Sequence, residues 1–283
     1  MTKKNEVVAS KQTPLMLPED LMDEVTGAGG LGYSEDVNDS LIPLLGILQD
    51  NSAEVKKKHS KYIDGAEAGD MIIRALGRIF KTSDPDIKLM VQPCAYDHNW
   101  VEWEGEPGDG AVVNQYPFHD LPEGAKEVTY KDEEGNDRTE MRMEESGNRL
   151  VETRYHYAHI LDADGAFPVV IPMAGTNHRV SRGWTSQMKQ FKLPNTNRKA
   201  PAFMRYYELG TVFVQRGSQS WYTYAVTDCG WIGHDDENQV FQWEEEVIRH
   251  GLEFFKSVDA GIVKPAIETE VGAEEKVKGD VPI

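Results

Sequence analysis

Apolar positions arrive in short bursts between Tyr62 and Trp103: Asp70 to Leu76, Arg78-Ile79-Phe80 after Gly77, Ile87 to Val91, and Trp100 to Trp103. Short apolar runs punctuated by Asp, Pro and Gly predict strands. The pattern resumes at Val151 to Leu161, Pro168 to Met173, Phe203 to Gln215 and Trp221 to Asp228. In the last two runs aromatic and β-branched residues are dense, and Gln215-Arg216-Gly217-Ser218 between them predicts a hairpin turn. Two segments carry helical spacing instead. Leu41, Leu44, Leu45 and Leu48 fall on one helical face behind the cap-forming Ser34-Glu35-Asp36, with Pro43 in the first turn. Asp235 to Ser257 mixes Val240, Phe241, Val247, Ile248, Leu252, Phe254 and Phe255 with acids and stops at Asp259-Ala260-Gly261, which predicts a long C-terminal helix packed on the sheet.

The expected organisation is a flexible segment over 1–35, one β-rich domain over 36–263, and a disordered acidic tail over 264–283. Residues 104–149, rich in Glu, Asp and Gly, read as a long hairpin or mobile insertion. The expected fold is mainly β with some α: an oligonucleotide-binding-type barrel or a curved antiparallel sheet. A length of 283 residues suffices for a sizeable core, and 39% hydrophobic with 28% charged residues is ordinary for a globular protein. The start, MTKKNEVVASKQTPL, lacks the apolar core of a secretory signal, and no apolar run approaches the roughly 20 residues that cross a bilayer. Cys94 and Cys229 are the only cysteines, too few for a disulfide framework. The expectation is a cytoplasmic protein with no membrane partner.

Charge changes the picture. The net charge is −18, yet between Ala174 and Arg216 eight basic residues (Arg179, Arg182, Lys189, Lys192, Arg198, Lys199, Arg205, Arg216) meet one acid, Glu208. That window carries +7 and the remainder −25, so one positive surface is expected on an anionic body. Trp184, Phe191, Phe203, Tyr206 and Tyr207 interleave with these cations, followed by Phe213, Trp221, Tyr222 and Tyr224. A single strand of nucleic acid offers a charged backbone and open base faces, and this mixture addresses both. The stretch from Arg179 to Lys199 therefore reads as a binding loop. Its candidate contacts are Arg179, Arg182, Lys189, Lys192, Arg198, Lys199 and Arg205 for phosphates, with Trp184, Phe191, Tyr206, Tyr207 and Trp221 for bases. The plainer reading is that the rings are core, because alternate residues of a strand face inward and about half should be buried.

This combination of a β-rich domain, a basic aromatic hairpin region and an acidic tail resembles bacteriophage single-stranded DNA-binding proteins with an oligonucleotide-binding barrel. Gly27-Ala28-Gly29, then Leu41 to Gln49, then Tyr62 to Asp70 look like phage proteins placed in that class. The resemblance implies non-specific binding of single-stranded DNA in phage replication or recombination, without catalysis or cofactor, in the host cytoplasm, with homo-oligomers possible. The final Asp280, Val281, Pro282 and Ile283 look like the tip through which bacterial single-stranded DNA-binding proteins dock replication partners. This tip departs from that pattern in having one Asp, Ile in place of an aromatic, and Lys276 and Lys278 nearby.

Other chemistries have weaker support. Gly27-Ala28-Gly29-Gly30-Leu31-Gly32 has dinucleotide-loop spacing but no strand before it and no βαβ unit after it. Cys94 with His98 lacks the partners of a zinc site, so no metal is expected. Asp84, Asp86, Asp97, Glu102 and Glu104 could be metal ligands of a nuclease, though Asp84-Pro85-Asp86 also reads as a turn and Glu102 and Glu104 as a wet strand face. A structural or assembly protein of the phage particle is the remaining alternative, with the same aromatics buried against neighbouring subunits.

Overall fold

The two longest strands, β5 (Leu89–Glu104) and β9 (Arg149–Asp162), pair antiparallel from Met90↔Leu161 to Trp103↔Arg149 and carry the rest of the molecule. The computed structural model describes residues 41–105, 111–131, 135, 137–162, 165–193, 196–217, 219–232 and 244–266. At the start of β5, β11 (Arg205–Arg216) pairs with Leu89 to Val91, and β12 (Gln219–Trp231) pairs with β11. At its far end, Asn99 to Glu104 pair with β6 (Ala111–Pro117). On the other side, β9 holds β10 (Gly165–Ala174) along most of its length and β8 (Asp137–Met143) at Leu150, with β7 (Ala125–Lys131) beyond β8. The result is an eight-stranded antiparallel sheet.

This sheet is open, and the expected oligonucleotide-binding barrel is corrected accordingly. Closure requires the outermost strands to pair. Here β12 and β7 end the path and attach near opposite ends of the β5–β9 pair, with no ladder between them. The acidic stretch 104–149 supplies β6, β7 and β8, so it widens the sheet.

A bulge between Pro93 and Ala95 inverts the side-chain alternation of β5. Leu89 and Val91 join Ala158, Ile160, Val169, Ile171 and Tyr207 on one face, where Trp184 also packs. Past the bulge Tyr96, opposite His156, continues that face, while Cys94 and Val101 turn to the other, with Tyr155, Tyr157 and Phe254. The first face is covered by α1 (His178–Met188) and by a three-stranded sheet of β2 (Gly46–Ile47), β3 (Met71–Ile73) and β4 (Arg78–Phe80). The second face is covered by α2 (Glu244–Asp259).

Two predicted helices need correction. Leu41 to Leu48 is extended, with β1 (Leu41–Ile42) and β2 separated by Pro43. Leu45 packs in the cluster below α1 while Leu44 packs in the cluster below α2, a period of two. Backbone bonds from Leu45 N–H to Val170 C=O and from Val170 N–H to Pro43 C=O hold the segment against β10. Among the described residues the long C-terminal helix predicted from Asp235 runs over the 16 residues Glu244–Asp259, and 235–243, with Val240 and Phe241, lie outside the described residues. Its end is as expected: Gly261 is left-handed at φ 68°, and Ile262 N–H bonds Ser257 C=O. Lys264–Pro265 (β13), expected to begin the loose tail, pairs in parallel with β1. The segment 1–35 with its glycine pattern, the predicted cap Ser34-Glu35-Asp36, and residues 267–283 with the candidate tip Asp280 to Ile283 lie outside the described residues.

Candidate nucleic-acid interface

The stretch read as a binding loop is α1 followed by a compact turn. Val180, Ser181, Trp184 and Met188 recur at helical spacing and face the sheet, and Trp184 is 2% exposed. Ser181 Oγ lies 2.8 Å from His156 Nε2 of β9, and the Trp184 indole stacks on the His156 ring at 4.5 Å. These contacts fix which face of the helix meets water. Arg179, Arg182, Ser186 and Lys189 all fall on that exposed face, within about a third of a turn at 100° per residue.

After α1 the chain turns back on itself. Leu193 N–H bonds Arg198 C=O and Ala200 N–H bonds Phe191 C=O, with Lys192 bridging to Lys199. Lys192, Arg198 and Lys199 are exposed on this turn. Six predicted cations are therefore gathered on one helix face and the turn that continues it. None of them makes an ion pair or a side-chain hydrogen bond with a described residue. Elsewhere many cations are paired: Arg74 with Glu54, Lys81 with Asp70, Arg154 with Glu152, and Arg249 with Glu245.

Arg205 belongs to a different group. It is 8% exposed, gives two hydrogen bonds to Asp228 at 3.2 and 2.6 Å, and lies 3.6 Å from the centre of the Phe191 ring and 4.7 Å from that of Trp231. Its place in the expected phosphate groove is corrected: its charge is answered by the half-buried Asp228 carboxylate and two rings. By gripping Phe191 at the root of the turn, it holds the exposed cations in position.

Two of the expected base-stacking rings, Trp184 and Tyr207, are corrected in a similar way. Tyr207 is fully buried and meets Trp184 edge-on at 5.6 Å, so both are core. Phe191 is half-buried under Arg205, and Tyr206 packs into the cluster of Leu161, Ile232 and Val247. Trp221 is half-buried opposite Val214 near the β11–β12 tip.

A surface that the sequence reading missed lies on the same side of the sheet as α1. Register sets Tyr96 opposite His156, His98 opposite Arg154 and Trp100 opposite Glu152. Phe118, whose N–H bonds His98 C=O, stacks on His98 at 3.7 Å and on Trp100 at 5.4 Å. Glu152 is met by His98 at 2.9 Å, Arg154 at 2.9 Å and His178 at 3.8 Å. Despite partial burial, its carboxyl is held below the usual range by the bonds from Arg154 and His98 and by the nearby His178. The only sequence signal was a density of aromatics with no cation beside them in the chain.

The candidate metal ligands are not brought together. Asp84 caps its own turn by accepting from Asp86 N–H, at the opposite end of β5 from Glu102, a separation on the order of 40 Å at strand rise. Glu102 accepts from Tyr116 and Asn148. Cys94 and His98 point to opposite faces of the sheet; the Cys94 thiol, raised by burial, sits 3.8 Å from His159 Nδ1. Among the described residues no group of three or more His, Cys, Asp or Glu could hold a metal ion, and no helix is long and apolar enough to cross a membrane.

Fold and surface together define an open antiparallel-sheet protein with a cluster of exposed cations on α1 and the turn after it. Over residues 9–261 the sequence matches the family described as Pam3 phage gp34-like protein. The chain belongs to that family and is a bacteriophage protein. No curated protein and no solved structure matches it.

Proposed function

We propose that the protein binds single-stranded DNA without sequence preference, in replication or recombination of phage DNA, through the exposed face of α1 and the turn after it. The observation that carries this reading is the set Arg179, Arg182, Lys189, Lys192, Arg198 and Lys199: six exposed cations with no described acid to pair them, on a chain of net charge −18. On a body of net negative charge, a cluster of six exposed cations is a site to which phosphates are steered. Arg, Lys and the Ser, Thr and Asn side chains around them bond phosphate oxygens and sugar, which carry no base identity.

The test is the salt dependence of binding. Counter-ion release from a single strand gives a slope of log K against log salt of about −0.7 per phosphate contact, so six contacts give a slope of about −4. Reversing three cations together (R179E, R182E, K189E) should bring it to about −2 or abolish binding. Fluorescence anisotropy of a labelled thymidine oligonucleotide, from 50 to 300 mM salt, measures this. No binding at 50 mM, or a slope near zero, overturns the proposal and favours the reading as an assembly protein of the particle.

A further inference from the structure

We infer that bases of the bound strand stack on an aromatic shelf formed by Phe118 and Tyr96, beside the N-terminal half of α1. This rests on the proposed binding of single-stranded DNA and names where its bases go. Trp184 and Tyr207, the rings nearest the cations in sequence, are sealed in the core and offer no face to a ligand. Phe118 and Tyr96 are 39% and 37% exposed, on the same face of the sheet as α1. Each ring keeps more than a third of its surface open to solvent, and the two sit on one sheet face with His98, Trp100 and His156 around them.

The shelf is rigid and joined to the cations. Phe118 stacks within 11° of the His98 plane, and the Phe118 and Trp100 rings lie within 22° of each other. Tyr96 meets His156 edge-on at 5.1 Å, and His156 is in turn bonded to Ser181 of α1. His178, the first residue of α1, lies 2.9 Å from Glu152 C=O through Nε2. Arg182 sits one turn beyond His178 on the same flank of the helix, and Arg179 is its chain neighbour. The acids beside the shelf already have partners: Glu152 is met by His98, Arg154 and His178, and Asp97 accepts from His98 N–H and the Asn99 amide, so neither repels a phosphate at full strength.

Flat exposed rings beside free guanidinium groups match a nucleotide with an unpaired base better than an apolar peptide, which would leave those charges unanswered, or a duplex, whose base faces are hidden.

The experiment compares a labelled thymidine oligonucleotide with a strand of equal length lacking bases. Stacking contributes about 1–3 kcal/mol per base, roughly a 5- to 150-fold change in affinity for each base. Wild-type protein should therefore prefer the thymidine strand by tenfold or more. The Y96A/F118A variant should lose that preference while binding the abasic strand as wild type does, with the same salt slope. The F118W variant should keep the preference, and the emission of its added indole should be quenched by the thymidine strand only. Should Y96A/F118A bind the thymidine strand like wild type while R179E/R182E does not, the shelf is refuted and the electrostatic reading stands. Equal loss of both strands in Y96A/F118A also refutes the shelf, because the rings would then act on the fold. If wild type binds neither strand at low salt, both proposals fall.

Discussion

Two core histidines make the fold acid-labile at a pH well above that at which most carboxylates titrate. His156 is fully buried and its imidazole is pushed down to about 3, first by burial and then by the nearby Arg154 charge. His159 is 5% exposed and is pushed down to about 4, by burial and then by His250. Both are neutral in the folded chain at pH 5, while their unfolded counterparts, at about 6.5, are largely protonated. The unfolded state therefore binds more protons, and stability falls as pH drops below 6.5. Each histidine loses about 1.36 kcal/mol per pH unit in that window, about 2 kcal/mol between pH 7 and pH 5 and about 4 kcal/mol for the pair. His98, also lowered mainly by burial, adds in the same direction. A loss of this size is a large part of the roughly 5–15 kcal/mol that holds an ordinary domain together. Urea unfolding followed by circular dichroism at half-unit steps from pH 7 to pH 5 measures it. The H159Q variant should reduce the dependence by about 2 kcal/mol. A wild-type loss below about 1 kcal/mol, or an unchanged dependence in H159Q, would refute the assignment of neutral core histidines.

Two further changes probe the packing of the fold. Gly251 lies inside α2, where alanine normally favours a helix by about 1 kcal/mol. A Cβ there would meet Gln92 Nε2 at 2.5 Å and Phe203 Cβ at 2.9 Å, and Gln92 is tied by its amide to Phe203 C=O and Val247 C=O, so G251A should instead destabilise by about 1–3 kcal/mol in urea titrations. Removing Arg205 leaves the half-buried Asp228 carboxylate without its cation, so R205A should cost about 1–3 kcal/mol, and R205A/D228N distinctly less, by thermal unfolding.

The strands were legible because they obey local rules. The β11–β12 hairpin, for example, has alternating β-branched and aromatic residues and a glycine at φ 62° in its turn, Gly217. Helix α1 was hidden by composition: Gly183 and the β-branched Val180 and Thr185 are poor helix formers, and its stability comes from Trp184 and Ser181 docking on β9. The cations of the interface were readable from local charge, because an exposed residue needs no distant partner. The rings were not. Whether Tyr207 or Tyr96 meets water depends on which strands flank it, and Phe118 reaches His98 only through the β5–β6 pairing.

The ladder of β1 with β13 brings Leu41 against Lys264 and Ile42 against Pro265, so the two limits of the 41–266 body sit side by side. A chain trimmed to these limits and spliced by a short Gly-Ser bridge, with new ends in the β11–β12 connection, is a circular permutant that keeps the β5–β9 pairing at its core. Because Ile42 packs in the cluster covered by α2, a dye, bead or fused domain attached at either limit starts from the side of the sheet away from Arg179 and Arg182.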